Sequence, residues 1–298
     1  MMPLFSIITP CYNSSRTLWS TYESLLKQPL DTFEWILVDD ASNDNGETKA
    51  LIEKIRHEAP FRVKVYFLET NHFGSKSVFI GCSMAEGKYA AVLDHDDQLI
   101  SDALYVIKKY IDTYCNDDRV AGICGRCVNE SGVLIGKKFE SDCFLANEGE
   151  VRYKQGITNE LFQFSKLQII KPIFELMKPG YTNGFVWAKV SERFQYVYVN
   201  DILRVYDTAL LTSYSNTKGM AVRYPEAKAE ALRETILSYR SHLKFNITYG
   251  SQLIGSYLRH TINSNISLFE ALRGFDAVLK AWCLIVYPAS IMKAKGWF

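Results

Sequence analysis

Residues 89–97 read Tyr-Ala-Ala-Val-Leu-Asp-His-Asp-Asp, a short apolar run that leads directly into four polar residues. The same arrangement occurs at residues 33–44, where Phe-Glu-Trp-Ile-Leu-Val precedes Asp-Asp-Ala-Ser-Asn-Asp. It occurs again at residues 4–13, where Leu-Phe-Ser-Ile-Ile-Thr precedes Pro-Cys-Tyr-Asn. Because short apolar runs bounded by turn residues are typical of buried strands, the sequence predicts three strands that deliver polar side chains at their carboxyl ends.

Segments with helical spacing separate these strands. Residues 14–28, 47–59 and 76–85 place apolar side chains three or four positions apart, and residues 62–68 alternate as a further strand. Strands that alternate with helices predict an α/β fold, with a mostly parallel mixed sheet flanked by helices. Ligands bind outside the carboxyl ends of the strands in such sheets, so we expect the three polar clusters to form one site.

The rest of the chain is less regular. We expect a helix over 102–114, a strand from 120, an irregular stretch over 128–180, a helix over 185–194, a strand over 195–205, and helices from 225 to the end. This organisation predicts one α/β domain over residues 1–222, with halves 1–115 and 116–222, and a C-terminal helical segment over residues 223–298.

Composition excludes some classes of function. A net charge of +1 and the lack of interleaved basic and aromatic residues argue against nucleic acid as a partner. The seven cysteines are an odd number, and the start Met-Met-Pro-Leu-Phe has no signal-peptide pattern, so we expect a reduced cytoplasmic protein. Cys124 and Cys127 have Cys-x-x-Cys spacing without a second metal-ligand pair; we interpret them as buried apolar residues, with a redox role as the alternative.

The cluster Asp94-His95-Asp96-Asp97 has the chemistry of a divalent-metal site. Mg²⁺ and Mn²⁺ prefer oxygen ligands and take one or two carboxylates together with phosphate oxygens. In an extended segment Asp94 and Asp96 project to one side, and we expect His95 to point away from the metal. The alternative is an acidic loop that caps the following helix at Ser101 and Asp102.

Asp39 and Asp40 follow the second strand and suit a nucleotide. A carboxylate there accepts hydrogen bonds from the imide N–H of uracil or from ribose hydroxyls. The alternative is a solvated turn, since Asp-Asp-Ala-Ser-Asn-Asp is ordinary turn chemistry.

Together these segments resemble the inverting family 2 glycosyltransferases of the GT-A fold. The matching pieces are residues 6–13, 36–44 and 93–97, with residues 71–88 resembling the loop and helix before the metal motif. The resemblance implies a nucleotide-diphosphate sugar donor, most simply a UDP-sugar, bound in the half 1–115. It implies that Pro10, Tyr12, Asn13 and Asp39 line the nucleotide pocket, that Asp94 lies near the ribose and that Asp96 ligates Mn²⁺ or Mg²⁺. It also suggests Lys76 as a basic group near the donor; a solvated lysine is the alternative.

The acceptor side, in the half 116–222, departs from the family pattern at the expected base. Residues 151–156, 184–187, 198–200 and 204–206 resemble this region, but Asn183 stands where an acid is usual. An inverting displacement needs a group that takes the proton of the acceptor hydroxyl, and a neutral amide cannot do so. Asn183 could orient that hydroxyl instead, and Glu160 and Glu175 are candidate substitute bases; each is alternatively a structural or surface acid.

The C-terminal segment carries an apolar stripe at helical spacing, formed by Leu272, Phe275, Leu279, Trp282 and Val286. The uncharged run 281–292 has twelve residues, fewer than the roughly 20 that span a bilayer. We therefore expect either a helix on the membrane surface, anchored by Lys293, Lys295, Trp297 and Phe298, or a helix packed on the protein or in a dimer. Membrane contact would place the protein on the inner face of the cell membrane and suit a glycan or lipid-linked acceptor of bacterial surface-polysaccharide assembly.

Two other functions remain open from the sequence. The neutral Asn183 is compatible with a catalytically impaired paralogue, or partner subunit, that only binds the nucleotide sugar. A nucleotidyltransferase or metal phosphohydrolase could use the same acids, but the chain has no P-loop motif and its five histidines are scattered.

Overall fold

The structure, a computed structural model, describes residues 2–208 and 223–295. Within these residues the chain forms two compact units. The first comprises residues 2–146, 159–177 and 194–208, and the second comprises residues 147–158, 178–193 and 223–295. Two segments predicted to belong to the α/β domain, 147–158 and 178–193, therefore cluster with the C-terminal helices. The predicted boundary at residue 222 falls on the segment 209–222, which lies outside the described residues.

The first unit contains one nine-stranded sheet. Its strands are β1 (Phe5–Cys11), β2 (Phe33–Asp39), β3 (Arg62–Phe67), β4 (Tyr89–Val92), β5 (Gln98–Leu99), β6 (Val120–Val128), β7 (Cys143–Ala146), β8 (Leu161–Lys166) and β9 (Gln195–Val205). Strands β3, β2, β1 and β4 are neighbours and run parallel, as do β6 and β9. The other pairings are antiparallel, in equal number to the parallel ones, and the predicted mixed sheet is confirmed.

Strand β8 lies in the middle of the sheet, between β4 and β6, and pairs antiparallel with both. We expected the stretch 128–180 to be irregular, and this expectation is wrong for β8, β7 and the helix that follows β8. Residues Phe162 to Ser165 alternate apolar and polar side chains, a strand pattern of only four residues that was missed in the sequence.

Helices cover both faces of this sheet. They are α1 (Leu18–Leu25), α2 (Glu47–Glu58), α3 (Ser75–Met84), α4 (Ala103–Tyr114) and α5 (Leu167–Phe174). One core joins the faces of β1 and β2 that carry Ile7 and Trp35 to the buried sides of α1, α2 and α4. On the other face α3 lies so close to β1 that a Cβ on Gly81 would collide with Ile8. The expected helix–sheet–helix layering is therefore present.

The second unit is helical. It contains a π-helix (Glu150–Lys154), α6 (Asn183–Ser191), α7 (Pro225–Tyr239), a 3₁₀ turn (Leu243–Phe245), α8 (Ile247–Asn263), α9 (Leu268–Ala271) and α10 (Ala277–Ala294). The aromatic side chains of Tyr153, Tyr239 and Tyr257 share one core with Ala188 of α6. This shared core explains why segments 147–158 and 178–193 cluster with the last helices.

Helix α10 differs in two ways from the sequence expectation. It begins only at Ala277, because Gly274 adopts a positive φ of 80° and the carboxylate of Asp276 caps the helix at the N–H of Leu279. Leu272 and Phe275 therefore precede the helix. With 18 residues and a mean hydropathy of 1.3, α10 is long and apolar enough to cross a membrane by length and composition. The expectation that this segment is too short to span a bilayer is therefore wrong. Trp297 and Phe298 lie outside the described residues.

Cys124 and Cys127 both lie on β6, are fully buried and form no disulfide within the described residues. Residues three apart in a strand point to opposite faces of the sheet. The prediction that they serve as small buried apolar residues is confirmed, and their placement on opposite faces disfavours a shared redox bond.

Candidate functional site

The three polar clusters meet at one edge of the parallel sheet. Cys11, the last residue of β1, pairs with Asp39 of β2, and Ile8 of β1 pairs with Val92 of β4. The loops that follow these strands therefore leave the sheet side by side. Burial raises the pKa of the Cys11 thiol, and the negative charges of Asp39 and Asp94 raise it further. Both acids therefore lie near the end of β1.

The loops after β1 and β2 are fastened to each other by polar side chains. The Asn13 amide donates to Asn43 Oδ1 at 2.8 Å, and the Asn43 N–H donates to Asn13 Oδ1 at 2.9 Å. The Tyr12 hydroxyl donates to Asn43 Oδ1 at 3.3 Å, and the Asn13 N–H donates to Ser42 Oγ at 2.9 Å. Asn43 and Ser42 thus position two residues of the predicted nucleotide pocket; both occur in the Asp-Asp-Ala-Ser-Asn-Asp turn, but the sequence did not single them out.

Asp39 is 5 % exposed and Ser42 Oγ donates to its Oδ1 at 2.5 Å. Burial raises the pKa of this carboxyl, and the hydrogen bonds from Ser42 oppose that effect. Pro10, the residue before the last in strand β1, is partly exposed. The nucleotide contacts proposed for Pro10, Tyr12, Asn13 and Asp39 stay predictions.

The Asp40 carboxylate binds main-chain N–H groups of the loop that precedes α3. It is 1 % exposed, and its two oxygens accept the main-chain N–H groups of His72 at 2.9 Å and Gly74 at 2.7 Å. The carboxylate therefore fixes the loop that precedes α3 in place. A direct contact of Asp40 with a nucleotide stays a prediction, and Lys76, exposed on the second position of α3, has no hydrogen bond or ion pair within the described residues.

Left-handed backbone conformations concentrate in these loops. Asn13, Ala41, Asn45 and Phe73 have positive φ values between 50° and 57°. They follow β1, β2 and β3, and Asn265 is the only other non-glycine residue of this kind within residues 2–208 and 223–295. For Ala and Phe this conformation costs free energy, and such strain is typical of functional loops.

The acidic loop after β4 brings three carboxylates together. One oxygen each from Asp94, Asp96 and Asp97 lies within 4.8 Å of the others. Asp94 and Asp96 are partly exposed, whereas Asp97 is 1 % exposed. Burial raises the pKa of Asp94, which Arg204 lowers and Asp96 raises further. Such a cluster of carboxylates, with mutual repulsion, favours binding of a cation.

Asp97 is held by groups from the end of β9. Its Oδ2 lies 2.9 Å from a guanidinium nitrogen of Arg204, and its Oδ1 accepts the N–H of Asp207 at 3.1 Å. Burial raises the pKa of Asp97 to about 8, against the lowering effect of Arg204. Since Asp97 is engaged in this way, Asp94 and Asp96 are the carboxylates that remain available to a metal.

Helix α1 fixes the backbone of the acidic loop. The Thr21 hydroxyl lies 2.9 Å from the carbonyl oxygen of His95 and 2.8 Å from that of Asp97. The Thr17 hydroxyl lies 2.8 Å from His95 Nδ1. The imidazole therefore contacts the residue that precedes α1, and its orientation away from a metal stays a prediction. Thr17 and Thr21 were not identified from the sequence because their partners are 74 to 78 residues away.

Arg204 connects this cluster to a predicted base. Its second terminal nitrogen lies 3.2 Å from Glu160 Oε2, and the guanidinium lies 5.0 Å from the ring centre of Phe162 and 4.9 Å from that of Tyr206. Burial lowers the pKa of Arg204, but the carboxylate of Asp97 and further anionic groups hold it above its ordinary value. Arg204 belongs to the segment 204–206 that resembles the acceptor side of the family, but its pairs with Asp97 and Glu160 are long-range and were not predicted from the sequence.

The three candidate catalytic residues lie on different elements of the chain. Glu160 lies immediately before β8 in the first unit, and its half-exposed side chain is at Arg204. Glu175, also in the first unit, ends α5, is exposed and makes no side-chain hydrogen bond or ion pair within the described parts of the chain. Asn183 is the first residue of α6 in the second unit and is partly exposed.

The chain is similar in sequence to two bacterial transferases. It is 35 % identical over 136 residues to the poly(ribitol-phosphate) β-N-acetylglucosaminyltransferase TarS of Staphylococcus aureus, covering 44 % of this chain and 23 % of that protein. It is 28 % identical over 178 residues to the GalNAc(5)-diNAcBac-PP-undecaprenol β-1,3-glucosyltransferase of Campylobacter jejuni, covering 57 % and 54 %. The chain thus spans about half or less of the length of these relatives.

Solved structures show the same fold. Residues 1–349 of TarS in complex with UDP-GlcNAc match with a TM-score of 0.63 and 19 % identity, covering 98 % of this chain and 92 % of that one. A mannosyltransferase from Pyrobaculum calidifontis in complex with GDP-Man and Mn²⁺ matches with a TM-score of 0.54 and 14 % identity, covering 100 % and 83 %. The predicted GT-A fold is therefore confirmed.

A family model covers the region that builds the site. Residues 6–163, more than half of the chain, match glycosyl transferase family 2, and this range contains β1, the loop after β2 and the three clustered aspartates. The resemblance inferred from the motifs is confirmed: the chain belongs to glycosyl transferase family 2.

Proposed function

We propose that this protein transfers a sugar from a nucleotide-diphosphate sugar, most simply a UDP-sugar, to a glycan or lipid-linked acceptor of a bacterial surface polysaccharide. The observation that carries the proposal is the set of three carboxylates within 4.8 Å, beside the fastened loops that follow β1 and β2. A UDP donor is supported by the UDP-GlcNAc complex of TarS, and a lipid-linked acceptor by the name of the Campylobacter relative.

The residues present fit a divalent cation. Asp94 and Asp96 offer partly exposed carboxylate oxygens, which are the ligands that Mg²⁺ and Mn²⁺ prefer. The buried ion pair between Asp97 and Arg204 fixes the end of the same loop. When bound there, such a cation would offset the negative charge of the departing diphosphate. Asp39 would accept hydrogen bonds from the nucleotide, and Ser42 keeps its carboxylate in one orientation.

For the proton of the acceptor hydroxyl we propose Glu160 as the first candidate base. Among Glu160, Glu175 and Asn183, Glu160 is the residue that forms an ion pair with Arg204, which in turn pairs with Asp97 of the acidic cluster. Asn183 would orient the hydroxyl through its amide. Replacement of Glu160 by Gln should lower kcat by about 100-fold or more while KM for the donor stays within a factor of two. The same result for Glu175→Gln, with Glu160→Gln unaffected, would reverse the assignment.

The donor site is tested by calorimetric titration with UDP, GDP and CDP, each with and without Mn²⁺. We expect one nucleotide, UDP, to bind, and its affinity to depend on the metal. Asp96→Asn should abolish the metal dependence, because a neutral amide is a poor ligand for a hard cation. Asp102→Asn is the matched control, since Asp102 is exposed and its side chain makes no cap hydrogen bond. Metal-dependent binding that persists in Asp96→Asn would contradict the metal assignment.

A second candidate function is donor binding without transfer, which the neutral Asn183 favours. Release of UDP from UDP-sugars separates the two, because a pure binding protein turns over no donor. Asn183→Asp provides a further test: we expect transfer to be retained or raised if residue 183 faces the acceptor hydroxyl. A large loss of transfer with unchanged donor affinity would argue against that placement.

We also propose that α10 contacts a membrane surface, which would place the protein on the inner face of the cell membrane. Val278, Leu284 and Ile285 of α10 are 74 %, 52 % and 78 % exposed. No acid occurs between residues 277 and 295, whereas three lysines do. An outward apolar side flanked by lysines suits an anionic lipid surface.

Sedimentation with vesicles tests this contact. The protein should bind vesicles rich in phosphatidylglycerol, and Ile285→Glu should reduce the bound fraction severalfold. Val133→Glu, at a site 61 % exposed in the first unit, is the matched control. If Ile285→Glu dissociates a dimer and leaves vesicle binding unchanged, the exposed side of α10 is a protein interface instead.

A further inference from the structure

A group of three basic side chains in the second unit has no acidic partner among residues 2–208 and 223–295. Lys228 of α7 and Arg259 and His260 of α8 lie close enough for both cations to affect the ionisation of the imidazole. Nζ of Lys228 lies 3.4 Å from the hydroxyl oxygen of Thr182, and Nδ1 of His260 is buried without a hydrogen-bond partner. Within residues 147–158, 178–193 and 223–295, none of the three side chains forms an ion pair.

Other half-buried cations of the same unit behave differently. Arg152 pairs with Glu148, while Lys189 and Arg233 both pair with Glu234. Lys228 and Arg259 are buried to a similar degree but are left without a carboxylate. The group Lys228–Arg259–His260 is therefore an exception to the way this unit neutralises its charges.

Burial of an unpaired charge is unfavourable, and the lowered pKa values of the three side chains are a consequence of this cost. Burial lowers the pKa of Lys228 to about 8 and that of Arg259 below its ordinary value. Burial, together with Lys228 and Arg259, lowers the pKa of His260 to about 4. A bound anion would reverse these shifts, because it would supply the missing opposite charge.

We propose that Lys228, Arg259 and His260 form a binding site for a phosphate group of the acceptor, in a phosphomonoester or phosphodiester. An ammonium, a guanidinium and an imidazole offer several N–H donors to the oxygens of one tetrahedral anion, and the Thr182 hydroxyl adds another. Thr182 immediately precedes Asn183, the residue predicted to face the acceptor hydroxyl. Assignment of the phosphate to the acceptor rests on the proposed function; the anion site itself does not.

Nuclear magnetic resonance of the histidine side chains tests the site directly. The chain has five histidines, and His260→Gln assigns the resonance of His260. Titration with glycerophosphoglycerol, a phosphodiester, should raise the pKa of His260 and leave the other four unchanged. Lys228→Met and Arg259→Met should each weaken binding by about tenfold to a hundredfold, since each removes charge-assisted hydrogen bonds. Lys178→Gln, which breaks an exposed pair with Glu230, is the matched control and should bind like the wild type.

Further titrations distinguish an acceptor phosphodiester from free phosphate and from the donor nucleotide. Inorganic phosphate should compete weakly with the diester, and binding should weaken above about pH 8 as Lys228 loses its proton. Asp96→Asn should bind the diester normally, so failure of the donor site and failure of this site are separate results. Two outcomes would overturn the proposal: no change of His260 with either phosphate compound, or a change with UDP alone. Lys228→Met is expected to fold with unchanged or higher Tm, because it removes an uncompensated charge.

Discussion

Replacement of Arg204 by Met is the sharpest test of how the acidic loop is held. Arg204 is 4 % exposed and its guanidinium lies 2.9 Å from Asp97, which is 1 % exposed. Loss of one partner of a buried ion pair costs about 3–5 kcal/mol, because the remaining carboxylate must either stay charged in the interior or bind a proton. The pair with Glu160, whose side chain is 52 % exposed, adds at most about 1 kcal/mol. We therefore expect Arg204→Met to lower the free energy of unfolding by about 3–5 kcal/mol at pH 8.5.

The loss should depend on pH in a defined direction. Asp97 has a pKa that burial raises to about 8, and Arg204 is the group that opposes this rise. Without Arg204 the pKa of Asp97 rises further, so the folded state binds a proton that the unfolded state has released. Stability then falls as pH increases. The destabilisation should therefore be smaller at pH 5.5, where Asp97 is protonated in the folded variant.

Urea unfolding followed by circular dichroism at pH 5.5 and 8.5 measures both quantities. Arg119→Met is the matched control: its pair with Asp117 spans 2.8 Å, but its side chain is 73 % exposed, so about 0–1 kcal/mol is expected. The double variant Arg204→Met with Asp97→Asn should recover part of the loss, because no unpaired charge is left. A loss below about 1 kcal/mol at pH 8.5, or one that does not change with pH, would refute the reasoning.

Three further changes probe the scaffold of the site. Gly87→Ala should destabilise the first unit by about 1–3 kcal/mol, measured by urea unfolding, because a Cβ at Gly87 would lie 2.7 Å from the main-chain nitrogen of Ser6. Asp40→Asn should cost about 1–3 kcal/mol and speed amide exchange in the loop before α3, because one amide oxygen replaces two charged acceptors; unchanged exchange would show that the loop does not depend on Asp40. Hydrogen bonds from Arg62 and Lys64 lower the pKa of Glu86 from 4.5 to about 2. The stabilisation by the Glu86 carboxylate is therefore present above pH 4.5 and disappears as pH falls towards 2. Glu86→Gln should consequently reduce the loss of Tm on acidification. A Tm profile identical to that of the wild type would show that this exposed group adds nothing.

The sequence alone determined the parallel half of the sheet and the location of the site. The runs that end at Thr9, Val38 and Leu93 are short, apolar and followed by polar residues, and each pattern is local. Because parallel strands carry their carboxyl ends to one edge, local patterns were enough to predict that Asn13, Asp39 and Asp94 gather there. The helical segment after Pro225 was likewise predicted from the spacing of its apolar residues.

Only the tertiary structure decided which side chains act as partners. Strand β8 carries a short alternating run, but its place between β4 and β6 depends on pairing with strands that are distant along the chain. The ion pair of Arg204 with Asp97, the fastening of Asn13 by Asn43 and the unpaired group at Lys228 join residues that are distant along the chain. Local propensity reports the conformation of a segment, whereas these contacts depend on which segments meet when the apolar core forms, and that is fixed by the fold as a whole.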